Sequence, residues 1–154
     1  MSQPRVFQIN LPNGGVPKLP VHAATVTPLG LEGDSQNDRE HHGGPDRALC
    51  LYSLERILAL QAEGHPIFSG STGENLTLSG LDWDKLAPGA RLSLGDEVTI
   101  EIVSYTSPCP KLVRSFAGGQ FRRMSQEQHP GWARLYARVL SPGVIRTGDE
   151  VNLK

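Results

Sequence analysis

Apolar positions along the chain come in short runs parted by glycine, proline and small polar residues, a pattern that predicts strands joined by turns. Arg5 to Ile9 reads as a first strand, with a turn at Pro12-Asn13-Gly14-Gly15. Val21 to Thr27 is a second, β-branched run. Gly30 to Gly44 is polar and glycine-bearing, so it reads as a long loop, and long loops in small domains often carry function. Ala48 to Tyr52 predicts a short strand. Ser53 then stands as the N-cap of a helix. Leu54, Ile57 and Leu58 follow at helical spacing, and Gly64 with Pro66 ends it.

The second half continues in the same way. Leu76 to Leu78 predicts a strand, and Leu92-Ser93-Leu94 leads through a Gly95-Asp96 turn into Val98 to Tyr105. Val98, Ile100, Ile102 and Ser104 share one face of that run at a period of two. Trp132 to Leu140 and Val144 to Leu153 complete the set. Pro88-Gly89 before Gly95-Asp96-Glu97-Val98 is echoed by Pro142-Gly143 before Gly148-Asp149-Glu150-Val151, which suggests two similar strand–turn–strand corners. The sum predicts a mainly β protein: a closed or nearly closed barrel with a few short helices, as one domain over residues 1–154.

Composition narrows the class. The chain has 154 residues, 38% hydrophobic and 20% charged, with a net charge of -1, an ordinary globular balance. A domain of this length buries roughly 70% of the surface of its unfolded chain, so it needs no disulfide or structural metal to fold. No basic run suggests nucleic acid. No segment approaches the ~20 apolar residues of a membrane helix, and the N-terminus lacks a signal-peptide core. The two cysteines, Cys50 and Cys109, are too few for a disulfide framework or an all-cysteine iron–sulfur cluster. They read as free thiols in a reducing cytoplasm.

Cys109 is the most informative residue. It sits in Ser107-Pro108-Cys109-Pro110-Lys111, just past a predicted strand. Pro110 suits the first position of a helix running to about Phe116, and a residue before proline is pushed out of the α region, as an N-cap requires. Cys109 would then lie at a helix N-terminus, with Lys111 and Arg114 nearby, surroundings that favour negative charge on a thiol. A thiolate is both a nucleophile and a soft metal ligand. An inert, buried cysteine is the alternative. Cys50, inside an apolar run, reads as core filler.

Two glycine-bearing segments could form a clamp. In His41-His42-Gly43-Gly44-Pro45-Asp46-Arg47 the glycines allow close backbone approach, and Arg47 suits planar contact with phosphate. The pair His41-His42 lacks zinc-ligand spacing. In Gly70-Ser71-Thr72-Gly73-Glu74-Asn75, Glu74 and Asn75 could meet a heterocycle edge. Each segment taken alone is equally a structural turn. No P-loop lysine or nucleophile elbow is present.

Together these segments resemble the MOSC domain family, named for the C-terminal domain of molybdenum-cofactor sulfurase. The resemblance runs through Gly14-Gly15-Val16-Pro17-Lys18, Gly30-Leu31-Glu32-Gly33-Asp34, His42 to Ala48, Tyr52-Ser53-Leu54-Glu55, Gly73-Glu74-Asn75-Leu76, Pro108-Cys109 and Tyr136-Ala137-Arg138-Val139. Their order makes it specific, and the bacterial stand-alone members are the most similar. The resemblance implies a β-barrel-like fold and a pyranopterin molybdenum cofactor, with Cys109 as ligand to the metal. It also implies Lys18, His42, Arg47, Glu74 and Asn75 as residues around the pterin and its phosphate. Larger sulfurases join this domain to a pyridoxal-phosphate enzyme, so pyridoxal phosphate enters here by family association alone. The resemblance leaves three competing functions, in this order: reduction of N-hydroxylated or N-oxygenated compounds with electrons from a partner reductase; sulfur carriage as a Cys109 persulfide, supplied by a cysteine desulfurase, for molybdenum cofactor or metal–sulfur cluster assembly; and non-catalytic carriage of the cofactor.

Overall fold

The apolar runs become strands, and the glycines and prolines between them become corners. The computed structural model describes residues 3–12, 18–34 and 44–154. The strands are β1 (Arg5–Pro12), β2 (Lys18–Val21), β3 (Ala23–Thr27), β4 (Gly30–Leu31), β5 (Leu49–Ser53), β6 (Leu76–Ser79), β7 (Arg91–Leu94), β8 (Val98–Thr106), β9 (Arg134–Ser141), β10 (Gly143–Arg146) and β11 (Val151–Leu153). Helix α1 spans Leu54–Ala62. The Ser53 hydroxyl caps α1 by accepting from the Arg56 N–H at 3.1 Å. Ile57 and Leu60 face the core, whereas Leu58 is exposed.

An eight-stranded sheet runs in the order β11-β7-β8-β9-β5-β6-β1-β2, and a three-stranded sheet in the order β10-β3-β4. Pairings are antiparallel except β5 with β6, whose crossover contains α1. The large sheet curls toward closure but does not reach it. The start of β1 meets the corner before β11 through a single Arg5–Glu150 bridge, with Val6 and Asp149 joined at 2.8 Å. The architecture is barrel-like rather than a closed barrel.

Three expectations are corrected. Val21 to Thr27 is not one strand: the chain switches sheets at His22, so β2 edges the large sheet and β3 lies in the small one. Gly148-Asp149 does not close a hairpin as Gly95-Asp96 does. β10 pairs with β3 and β11 with β7, so the second corner also changes sheets. It packs on the first corner, where the Gly95 N–H donates to the Glu150 carbonyl at 2.8 Å. Gly30, inside the expected loop, opens β4. Its φ is +120°, and a Cβ there would lie 2.4 Å from the Ala48 carbonyl oxygen, so only glycine fits.

The core lies on one face of the central strands, where Leu49, Leu51, Leu76, Leu78, Ile102, Leu135 and Ala137 are buried. Among the described residues no helix is long and apolar enough to cross a membrane.

Candidate functional site

The opposite face of the same strands carries the polar residues. In antiparallel register, Cys50 on β5 lies across from Tyr136 on β9, and Arg134 on β9 lies across from Thr106 on β8. Thr106 reaches this face because β8 bulges. Its register shifts between Ile102 and Ser104, so Ile102 faces the core while Thr106, four residues on, faces the polar side. The Cys50 thiol comes within 3.8 Å of the Thr106 hydroxyl. Cys50 is buried, as its apolar run predicts, and burial pushes its thiol pKa up. Its side chain nonetheless belongs to a polar cluster.

Asn75 organises the next layer. Its carbonyl oxygen accepts the Cys50 N–H at 2.8 Å, and its amide donates to the Asp34 carboxylate. Asp34, whose side chain is 2% exposed, also pairs with Lys18 at 3.3 Å. Lys18, Asp34 and Asn75 thus form one chain of contacts from the edge strand β2 to the centre of the sheet.

Glu74 lies deeper and is fully buried. Thr72 donates to one carboxylate oxygen at 2.8 Å and Thr77 to the other at 3.3 Å. Burial raises the Glu74 pKa, against the opposing effect of the Thr72 hydrogen bond. Its contacts make it the anchor of the Gly70–Asn75 turn. Gly70 itself is required by close approach, since a Cβ there would stand 2.3 Å from the Lys18 carbonyl oxygen.

Arg47 is exposed, in a 3-10 turn at Pro45–Arg47, and its guanidinium sits 5.3 Å from the Tyr136 ring centre. The Tyr136 phenol is pushed up to about 12, by burial first and then by the neighbouring Cys50 thiol. The Arg134 and Arg47 charges pull the other way, and Cys109 adds to the rise. His41 and His42 lie outside the described residues.

Cys109 follows β8 and is half-buried. Its φ of -117° and ψ of 159° are extended, as the following proline requires, and its thiol makes no capping hydrogen bond. The expected helix is a 3-10 helix, Pro110–Ser115. It stops because Phe116 turns extended to bury its ring, 5.0 Å from that of His65. Lys111 and Arg114 are exposed. Beside this segment opens a cleft of about 480 Å³, lined by Tyr105, Thr106, Ser107, Pro108, Arg122 and Gln126 among others.

Two residues join the site beyond those expected of it from the sequence. Asp34 lies in the Gly30–Asp34 motif, but its link to both Lys18 and Asn75 needs the fold. Arg134 sits in an ordinary strand, and its burial at 7% exposure is the signal that sets it apart.

Comparison with known proteins agrees with this architecture. The MOSC domain family profile matches residues 38–152. YflK of Bacillus subtilis is 32% identical over 141 residues, covering 90% of this chain and 62% of that protein. YiiM of Escherichia coli is 36% identical over 133 residues, covering 83% of this chain and 58% of that protein. Its crystal structure superposes with a TM-score of 0.75 over 100% of this chain and 70% of its own. A Gibberella moniliformis protein named a reductase is 30% identical over 139 residues, covering 87% of this chain and 24% of its own. The chain thus spans about three-fifths of its two bacterial relatives. It belongs to the MOSC domain family.

Proposed function

We propose that this chain binds the molybdenum cofactor with Cys109 as protein ligand to the metal, and reduces N-hydroxylated or N-oxygenated compounds with electrons from a partner reductase. The observation that carries the reading is a half-buried thiol two residues past Ser107, whose carbonyl accepts from the buried Arg134 at 3.3 Å, with the Arg47 guanidinium over the Tyr136 ring. Lys18 reaches the same polar cluster through its pairing with Asp34. These cations suit an anionic ligand, and the thiol suits a soft metal.

The donor set fits a metal that arrives with an organic carrier. Among the described residues no three His, Cys, Asp or Glu side chains converge as a cage for a bare ion. The Nε of Arg134 is buried without a hydrogen-bond partner. A metal held by an anionic pterin would need from the protein one sulfur ligand and cationic side chains, and a free cysteine and such side chains are present. The bound cofactor would supply the redox chemistry that these side chains lack.

The chain's own residues have separate tasks. Arg47 and Lys18 hold the anionic part of the cofactor. Asp34 fixes the Lys18 ammonium, and Asn75 fixes Asp34 against the β5 backbone. Glu74 sets the turn on which Asn75 stands. His42 joins the set by resemblance. Similarity to part of a protein named a reductase supports the direction of the chemistry. Both cysteines are free thiols, in keeping with a reducing cytoplasm.

A second reading, sulfur carriage by a Cys109 persulfide, is favoured by the partial exposure of that thiol. The two separate in protein purified from a host that makes the cofactor and assayed with a hydroxylamine and an artificial electron donor. The reductase reading expects turnover and a Cys109 protected from alkylation. Persulfide on Cys109 after incubation with a cysteine desulfurase, with no molybdenum and no turnover, overturns it.

A further inference from the structure

Arg134 is a buried charge on the polar face of the large sheet. It lies on β9, 7% exposed, and its terminal nitrogens donate to carbonyls rather than to a carboxylate. One bond goes to the Thr72 carbonyl at 2.6 Å and the other to the Ser107 carbonyl at 3.3 Å. These carbonyls belong to different segments: Thr72 to the turn that carries Glu74 and Asn75, Ser107 to the segment that carries Cys109. Thr72 is gripped from both sides, since its hydroxyl donates to Glu74 at 2.8 Å. The remaining Nε is buried and unpartnered.

The hydrogen bonds of this buried guanidinium go to neutral carbonyls, and the nearby Glu74 carboxylate reaches it only through Thr72, so its costly desolvation is not offset by a direct ion pair. Its planar fork, however, can hold two carbonyls in fixed relation, which a single ammonium cannot. We propose that Arg134 is a positioning residue: it fixes the Cys109 segment against the Glu74–Asn75 turn and gives the Cys109 thiol a fixed positive neighbour. This rests on the reading of Cys109 as the working group of the site. Arg134 acts through the two segments and through its field, and needs no contact with substrate.

The test uses the full-length protein without cofactor and two alkylating reagents of similar size, anionic iodoacetate and neutral iodoacetamide. Modification of Cys109 is followed by peptide mapping. Both reagents attack the same thiolate, so the ratio of their rates cancels the thiolate fraction and reports the local field. A unit charge a few ångströms away in a water-like medium changes such a ratio about threefold to fivefold. Arg134→Gln is expected to lower the iodoacetate-to-iodoacetamide ratio by that factor. Arg134→Lys is expected to keep the ratio while both rates rise, because the charge stays and the double clamp is lost. An unchanged ratio in Arg134→Gln overturns the proposal, and so does an Arg134→Lys protein with wild-type rates for both reagents. Should Arg134→Gln fail to fold, the wild-type protein still decides: a ratio at Cys109 no higher than that of free N-acetylcysteine amide, which carries no charge beside its thiol, overturns it. Retention of molybdenum by Cys109→Ser would defeat the cofactor reading without altering these ratios, so the two failures are distinguishable.

Discussion

Asn75 and Cys50 hold each other twice: the Asn75 N–H donates to the Cys50 carbonyl at 2.8 Å, and the Cys50 N–H donates to the Asn75 side-chain oxygen at 2.8 Å. The second bond satisfies a buried backbone donor near the start of β5. Asn75→Ala removes that acceptor and also the donor to Asp34. The expected cost is about 2 kcal/mol or more, since unsatisfied buried groups cost about 1–3 kcal/mol each. Asn75→Asp keeps the acceptor but sets a second carboxylate against Asp34, so its stability should recover as pH falls. Urea unfolding of both variants at neutral and acidic pH checks this. A loss below about 0.5 kcal/mol for Asn75→Ala, the range of an ordinary surface change, would contradict it.

Lys18 and Arg47 should behave differently although both are assigned to the cofactor. Lys18→Met leaves Asp34 buried and unpaired, and breaking a buried ion pair typically costs about 3–5 kcal/mol. Because Lys18 is at the rim, with its side chain 13% exposed, the lower end is expected. Adding Asp34→Asn should restore much of the loss. Arg47→Ala, at an exposed position, should change stability by less than about 1 kcal/mol yet weaken cofactor retention. Thermal melting of the cofactor-free variants, with a pterin assay of the loaded ones, separates the roles. Equal melting of Lys18→Met and Arg47→Ala would count against the Asp34 pairing.

Much of the fold is legible from period and punctuation alone. Val98, Ile100 and Ile102 alternate into the core as the sequence predicts, and Ser53 caps α1. The pattern cannot show a sheet switch, because His22 and the Gly148 corner look like ordinary turn residues. The bulge after Ile102 is invisible for the same reason, yet it turns Thr106 toward Cys50. In the site, Cys109 is legible because the following Pro110 dictates its backbone. Arg134 is not, since an arginine in a strand reads as an exposed edge until its neighbours across β5 and β8 are known.

Glu74 gives the protein a pH signature. Burial raises its pKa in the folded state above the ordinary carboxylate value of about 4.3. In the unfolded chain Glu74 therefore ionises first as pH rises. The stability associated with its neutral form is fully present below the unfolded pKa and is lost as pH rises through the folded one. Glu74→Gln, which stays neutral, should lack this loss. Denaturant unfolding of both proteins from about pH 4 upward is expected to show wild type losing stability relative to the variant. A constant difference across that range would show that Glu74 does not carry the titration.

The central claim is that Cys109 is the protein ligand of a pterin-bound molybdenum. It is tested most directly by molybdenum and pterin content per chain, measured on wild type and Cys109→Ser purified side by side from a host that makes the cofactor. Serine changes one atom at a half-buried position, so the fold should survive, but an alcohol is a poor ligand for a soft metal. The prediction is about one molybdenum and one pterin per wild-type chain, with most of the metal lost from Cys109→Ser. Full molybdenum in the folded variant, or none in wild type, would contradict the claim.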